Sequence, residues 1–221
     1  MVNSSSEILT DIIVPVLDNL ELTKIFIDSA LKQKNTHIIV IDNGSREQTK
    51  EYLESLLPAI TLIRNENNLG YVKAINQGLA KSNAPTILLA NNDIYLPIDL
   101  ISLLRSHLDA FDIVSPLSNN IGGTNDVRLI NYPYSSYEYA DKFANNLSIN
   151  NIPPTEADYV FGHCMLIKSE VFKSLGYLDE RFGIGNYDDV DYCRRATKRG
   201  FKIGIANNLF VYHRCHATFN A

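Results

Sequence analysis

Cysteine is scarce in this 221-residue chain. The three present, Cys164, Cys193 and Cys215, stand too far apart for a disulfide framework or a thiolate zinc site, so they read as reduced thiols in a cytosolic setting. Long apolar runs are missing too. None approaches the roughly 18 residues of a spanning helix, which argues against a transmembrane segment and leaves peripheral work at the inner face of a membrane open. The first seven residues lack the basic start and apolar stretch of a secretory signal. Positive charge is not in excess either. Twenty Lys and Arg against 25 Asp and Glu leave a formal net charge of −5, which disfavours non-specific nucleic-acid binding. There is no internal repeat and no linker. What remains is a 45% apolar chain of a length that suits one domain spanning residues 1–221.

Short apolar runs alternate with helical patterns through the first half. Residues 12–16, 38–41, 60–63 and 86–90 read as strands. Between them, Leu22, Ile25, Phe26 and Ala30 share a helical face, with Asn19 as a candidate N-cap. Ser45 and Gln48 have capping-box spacing ahead of Tyr52, Leu53 and Leu56. Val72, Ile75 and Leu79 mark a third helix just after Gly70. Strands separated by helices of this length imply right-handed crossovers and a mainly parallel α/β sheet. The second half is less regular. Residues 112–117, 165–167, 202–206 and 210–212 read as short strands, and 118–158 as loops and short helices. Residues 180–186, with Gly183 and Gly185, read as a flexible loop leading into a helix near Asp188.

In open α/β sheets ligands bind beyond the carboxyl ends of the strands. Asp18, Asp42-Asn43-Gly44, Arg64-Asn65 and Asn91-Asn92-Asp93 all fall at such ends and outline one cleft. A carboxylate at the tip of a buried strand can hold Mg²⁺ or Mn²⁺ against a phosphate, because these ions take oxygen ligands and keep several waters. A plain turn is the other reading of Asn91-Asn92-Asp93. Asp42 can accept hydrogen bonds from a nucleobase, or cap an Asx turn ahead of Ser45. The stretch Arg64-Asn65-Glu66-Asn67-Asn68-Leu69-Gly70 joins a strand to a helix N-terminus that favours an anion, and Arg64 or Lys73 can add a charged contact. A polar surface loop is the alternative.

A second acidic cluster lies far downstream at Asp188-Asp189-Val190-Asp191. Carboxylates at a helix start are held as anions, and one facing a hydroxyl can take its proton as general base. Charge complementarity with the helix is the competing reading. It is preferred for Asp191, which has helical spacing to Arg194 and Arg195, whereas Asp189 is assigned a function. His213 follows the run Phe210-Val211-Tyr212, and a neutral imidazole can ligate a divalent metal. His216 could compete for that role, and either histidine could be merely structural.

Taken in order, Pro15-Val16, Asp42-Asn43-Gly44-Ser45, Asn68-Leu69-Gly70, Asn76-Gln77-Gly78, Asn91-Asn92-Asp93, Leu178-Asp179-Glu180-Arg181-Phe182 and Asp188-Asp189-Val190-Asp191 resemble the family 2 glycosyltransferases, nearest to a bacterial rhamnosyltransferase-like branch. The ordered set is specific, although no single motif is. The resemblance implies a GT-A fold, a nucleotide-sugar donor, a divalent metal and inversion at the anomeric carbon. It implies a nucleotide-sugar-binding half over about residues 8–117 and an acceptor-binding, catalytic half over about 118–221. By position, Asp93 matches the metal-binding aspartate of an Asp-x-Asp motif, with Asn91 and Asn92 replacing or flanking the other carboxylate. Asp42 matches the nucleobase contact, Asp189 the acceptor-activating base and His213 a third metal contact. Asp188 stands where the branch usually has Glu. Pro15, Val16, Arg64, Asn68, Gly70 and Lys73 fall on the donor side. Gly162 and His163 lie where the family has a small-residue segment near the acceptor, and the histidine, a departure from it, could touch acceptor or phosphate.

The expected activity is therefore transfer of a sugar from a UDP-, dTDP- or GDP-sugar to a glycan or lipid-linked hydroxyl, in cell-surface polysaccharide synthesis. Tyr132, Tyr134, Tyr137 and Tyr139 are candidate sugar-stacking residues, or simply packing. The single carboxylate at the strand tip motivates an alternative, a non-catalytic nucleotide-sugar-binding module of the same fold. A sugar nucleotidyltransferase is disfavoured, since no Gly-rich, Arg/Lys-containing phosphate loop lies near the N-terminus.

Overall fold

A computed structural model describes residues 7–119, 121, 125–126, 137–150 and 152–214. Its first half is the alternation expected from the sequence: β1 (Thr10–Val16), α1 (Leu20–Ala30), β2 (Thr36–Asp42), α2 (Glu47–Ser55), β3 (Thr61–Arg64), α3 (Tyr71–Lys81) and β4 (Thr86–Ala90). The continuous apolar runs of β1, β2 and β4 are explained by helices on both faces. Alternate residues of a strand point to opposite sides. Ile13, Ile39, Ile41 and Leu89 pack with Val72, Ile75 and Leu79 of α3, while Ile12, Val14, Val40 and Leu88 pack with Phe26 and Ile27 of α1. Gly78 lets α3 approach closely, because a Cβ there would lie 2.4 Å from Ile13 Cγ2.

The second half adds β5 (Ile94–Tyr95), α4 (Leu100–Ser106), β6 (Ile113–Ser118), α5 (Ala140–Asn150), β7 (Thr155–Glu156), β8 (Cys164–Lys168), α6 (Ser169–Leu175), α7 (Asp188–Lys198) and β9 (Ile203–His213). One sheet runs β3-β2-β1-β4-β8-β6-β9-β5, with β7 paired to β9. Its parallel pairs are β1–β2, β1–β4, β2–β3 and β6–β9. β8 is antiparallel to both neighbours, β4 and β6. That reversal positions the site. Ala90, the last residue of β4, pairs with Cys164, the first of β8. The residues after β4 and those before β8 therefore emerge at the same edge. β6 and β9 run in the direction of β4, so His213, ending β9, emerges there as well.

Several local expectations are corrected. Asn19 occupies the N-cap position of α1, but in a left-handed conformation with no side-chain cap bond. The capping box at Ser45 and Gln48 is not formed. α2 starts one residue later, after Arg46, and Ser45 Oγ instead accepts the Asp18 N–H at 2.9 Å, tying two strand tips together. The two expected strands 202–206 and 210–212 are one strand, and the polar interruption at Asn207-Asn208 falls where its register against β6 jumps from Ala206 to Phe210. The irregular stretch 118–158 contains α5, an 11-residue helix held by Phe143 edge-on to Phe210, with ring centroids 4.8 Å apart. Tyr137 and Tyr139 sit exposed on a 3₁₀ turn. Tyr132, Tyr134, Cys215 and His216 lie outside the described residues. Cys164 and Cys193 are buried free thiols.

Residues 180–186 are held more firmly than a flexible loop. Glu180–Phe182 form a 3₁₀ turn, and the backbone then passes through positive φ at Gly183, Gly185, Asn186 and Tyr187. The Gly183 carbonyl accepts the Val72 N–H at 3.4 Å. A Cβ on Gly70 would lie 2.7 Å from that carbonyl, so glycine is needed where the start of α3 meets this turn.

Candidate active site

The strand edge and the segments above it enclose an open cavity of about 1250 Å³. Pro15 and Val16 of β1 and Asn91 and Asn92 beyond β4 form its floor. Asn68, Gly70 and Tyr71 form one wall, and Asp188 and Asp189 of α7 another. Gly162, His163 and His213 close the far side.

The far side carries a carboxylate–imidazole pair. His213 Nε2 lies 3.1 Å from Asp93 Oδ1, and both side chains are nearly buried. Asn119 fixes the His213 backbone from both sides, accepting its N–H at 2.8 Å and donating to its carbonyl at 2.7 Å. The Arg214 N–H donates to the Asp93 carbonyl at 2.9 Å. His213 lines the cavity and Asp93 stands directly behind it. One carboxylate and one imidazole suit a divalent cation that keeps waters and takes phosphate oxygens. No group of three or more His, Cys, Asp or Glu side chains forms a complete ligand set among the described residues. The donor set thus fits a cation held jointly with its substrate. The neighbouring Asn92 is committed elsewhere, its amide donating to Thr23 Oγ1 at 3.0 Å.

The acidic wall is built by α7. Asp189 Oδ2 accepts the Gly162 N–H at 2.8 Å and Oδ1 accepts the Val190 N–H at 2.7 Å. Burial raises the Asp189 pKa, against the lowering effect of those two N–H groups. Asp188 is pushed up to about 6, first by burial and then by the charge of Asp189. The hydroxyl of Tyr71 is raised well above its ordinary value by burial and then by Asp188, Asp189 and Asp93, so it stays protonated. A Cβ on Gly162 would lie 3.3 Å from Asp189 Cβ, 3.6 Å from Asp189 Oδ2 and 3.8 Å from the Tyr71 hydroxyl, so the missing side chain leaves a narrow niche between the Asp189 carboxylate and the Tyr71 hydroxyl. Asp191 pairs with Arg195 at 2.8 Å, the helix-spacing role expected for it.

The position of Asp188 has a cost that pH should reveal. Its folded-state pKa lies above the ordinary carboxylate value. Between about pH 4 and 6 the folded chain keeps a proton that the unfolded chain has released, so stability falls as pH rises through that window. Asp188→Asn should raise stability at pH 7 by up to about 3 kcal/mol and flatten the profile between pH 4 and 6. Urea unfolding across pH measures this. A variant profile that parallels the wild type would contradict it.

His163 is 5% exposed, and neither ring nitrogen has a hydrogen-bond partner among the described residues. Its ring stacks on His213, centroids 5.2 Å apart and planes 13° from parallel. Burial and then His213 hold its pKa well below the ordinary histidine value, so the ring is neutral. Its carbonyl accepts the Asn91 N–H at 3.0 Å.

Three residues expected on the donor side stand outside the cavity. Asp42 is fully buried, one oxygen accepting the Ser45 N–H at 2.9 Å and the other ion-paired with Arg64. Arg64 also donates to the Ser45 carbonyl at 3.1 Å. Lys73 is exposed on α3 and does not reach the lining. Asn43 is at the wall instead. Its amide donates to Asn68 Oδ1 at 2.8 Å, and its oxygen accepts the Leu69 N–H at 3.0 Å. Sequence reasoning missed Tyr71 and Asn119 as site residues. For Tyr71 a signal existed, its place at the first position of the helix after Gly70. For Asn119 there was none.

Residues 11–176 match the family model described as Glycosyl transferase family 2. A low-salt glycan biosynthesis hexosyltransferase, Agl10 of Haloferax volcanii, is 26% identical over 79% of the chain and 58% of its own length. The chain therefore spans little more than half of that relative. Among solved structures, TarS 1–349 of S. aureus in complex with UDP-GlcNAc superposes with a TM-score of 0.67 at 16% identity, over 92% of this chain and 58% of that one. The mannosyltransferase PcManGT of Pyrobaculum calidifontis, in complex with GDP-Man and Mn²⁺, gives 0.67 at 16% identity over 97% and 59%. At these identities the structural likeness shows the fold, and that fold is GT-A.

Proposed function

The chain belongs to glycosyl transferase family 2, and from that premise we propose that it is an inverting enzyme moving a sugar from a nucleoside-diphosphate donor to a hydroxyl of a glycan or lipid-linked acceptor. The observation that carries this reading is one cavity bordered by Asp189 on one wall and by His213, backed by Asp93, on the other. Pro15 and Val16 form the floor for the nucleoside, and the Asn43–Asn68 pair shapes the loop beside it. Asp42 and Arg64 act through the turn that carries Asn43. Asp93 and His213 would hold Mg²⁺ or Mn²⁺, which when bound supplies charge neutralisation to a departing diphosphate.

Asp189 takes the proton of the acceptor hydroxyl. Its raised pKa strengthens it as a base, and the Gly162 N–H keeps Oδ2 aimed into the niche. Tyr71, protonated, orients the acceptor by donating a hydrogen bond across that niche. One displacement inverts the anomeric configuration. The hexosyltransferase relative supports a glycan product, and an acceptor carried by a lipid would place the work at the inner membrane face. Among the described residues no helix is long and apolar enough to cross a membrane.

The test is a thermal-shift screen of UDP-, dTDP- and GDP-sugars with and without Mn²⁺, followed by a donor-hydrolysis assay. A true donor should raise the melting temperature by mass action, more with Mn²⁺, and release its nucleoside diphosphate. Stabilisation without release would favour the binding module. Indifference to all three donor classes would sink both readings.

A further inference from the structure

His163 is the residue whose surroundings are least explained by packing. A buried polar group normally finds a partner, and one left without is retained at a cost unless a ligand completes it. Among the described residues both nitrogens of His163 are in that condition, and the residue lines the main cavity. The backbone around it explains what stands opposite. The Gly162 N–H holds the carboxylate of Asp189 at 2.8 Å, and the His163 carbonyl holds the Asn91 N–H of the β4 tip at 3.0 Å. These two residues staple the acidic wall to the strand edge. The imidazole itself leans to the strand side, flat against His213. It thus sits between Gly162, which bonds Asp189, and His213, which pairs with Asp93.

We propose that His163 donates a ring N–H hydrogen bond to the diphosphate of the bound donor, so that it is a leaving-group contact rather than an acceptor contact. This rests on the donor reading above. A neutral imidazole offers one donor and one acceptor, and the carboxylates near it, Asp188 and Asp189 on the cavity lining and Asp93 behind His213, are acceptors when ionised. A single neutral donor can meet a phosphate oxygen there without adding a charge that would pair with those carboxylates.

The test compares nucleoside diphosphates with monophosphates. Wild type, His163→Phe and His163→Gln are titrated calorimetrically with UDP, GDP and dTDP and with UMP, GMP and dTMP, all with Mn²⁺. Phe keeps a ring to stack on His213 and removes both nitrogens. Gln keeps an N–H donor. The preference of the wild type for the diphosphate over its monophosphate should shrink about tenfold or more in the Phe variant and recover in part with Gln, while monophosphate affinity holds. In the wild type, ¹H–¹⁵N spectra of the imidazole should show the His163 N–H become protected on adding the diphosphate that binds. If the wild type prefers none of the diphosphates, the donor reading falls and this proposal with it. If it binds one and the Phe variant keeps the full preference, or the His163 N–H resonances do not respond, the His163 assignment alone is wrong.

Discussion

Asp189→Asn is expected to lower turnover by about 10²–10⁴-fold, the usual contribution of a positioned general base, while donor affinity stays nearly unchanged. The asymmetry follows from where the carboxylate sits. Asp189 Oδ2 is bonded to the Gly162 N–H and borders the niche beside residue 162, on α7, whereas the Asp93–His213 pair belongs to the strand edge. Asn retains an oxygen that can accept the Gly162 N–H, so the wall keeps its shape. What disappears is the site that receives the proton. The wild-type rate should also rise with pH through a group titrating above the ordinary carboxylate range, because burial raises the Asp189 pKa. That limb should vanish in the variant. Steady-state kinetics across pH, with donor affinity measured separately, decide the matter. A variant with ordinary turnover would remove Asp189 from the reaction.

The second large effect is expected at the Asp93–His213 pair. Asp93→Asn should abolish the Mn²⁺-dependent part of donor binding and lower turnover by about three orders of magnitude. A Lewis-acid cation contributes several kcal/mol of transition-state charge stabilisation, and each 1.36 kcal/mol is tenfold. Asp93 is the sole carboxylate of the β4 tip, since residues 91 and 92 are both Asn. A substitute for it would have to come from elsewhere. The amide of Asn can still accept a hydrogen bond from His213 Nε2, so the 3.1 Å contact has a neutral counterpart and the fold should survive. Chelation by EDTA should bring the wild type down to the level of the variant, and leave the variant where it was. If Mn²⁺ still sharpens donor binding in Asp93→Asn, the cation is held by other groups.

Much of this arrangement was legible beforehand for a physical reason. The strands β1, β2 and β4 are continuous apolar runs, and the helices between them carry apolar faces at helical spacing. Both patterns are local. The tip residues Asn91, Asn92 and Asp93 follow from where the β4 run stops. The direction of β8 was not legible, because a short, largely apolar strand looks alike in either orientation. Only pairing with Thr86–Ala90 on one side and with Ile113 and Val114 on the other determines it. The role of Asn119 was hidden for the same reason, since its partner His213 is 94 residues away. Asp42 shows a different limit. Its sequence context allowed a ligand contact or a turn, and the structure shows both oxygens already engaged by Ser45 and Arg64.

The reversed strand β8 has one more consequence. Side chains of a strand alternate faces, so slipping it by a single residue would swap inward and outward sets along its whole length. Hydrogen-bonded neighbours on both flanks, Ala90 opposite Cys164 and Ile113 opposite Ile167, resist such a slip. Losing one residue from this segment would hand the place of the imidazole to a thiol or to bare glycine without touching any acidic group. The reactive edge is therefore guarded by the alignment of an apolar strand that takes no part in the chemistry.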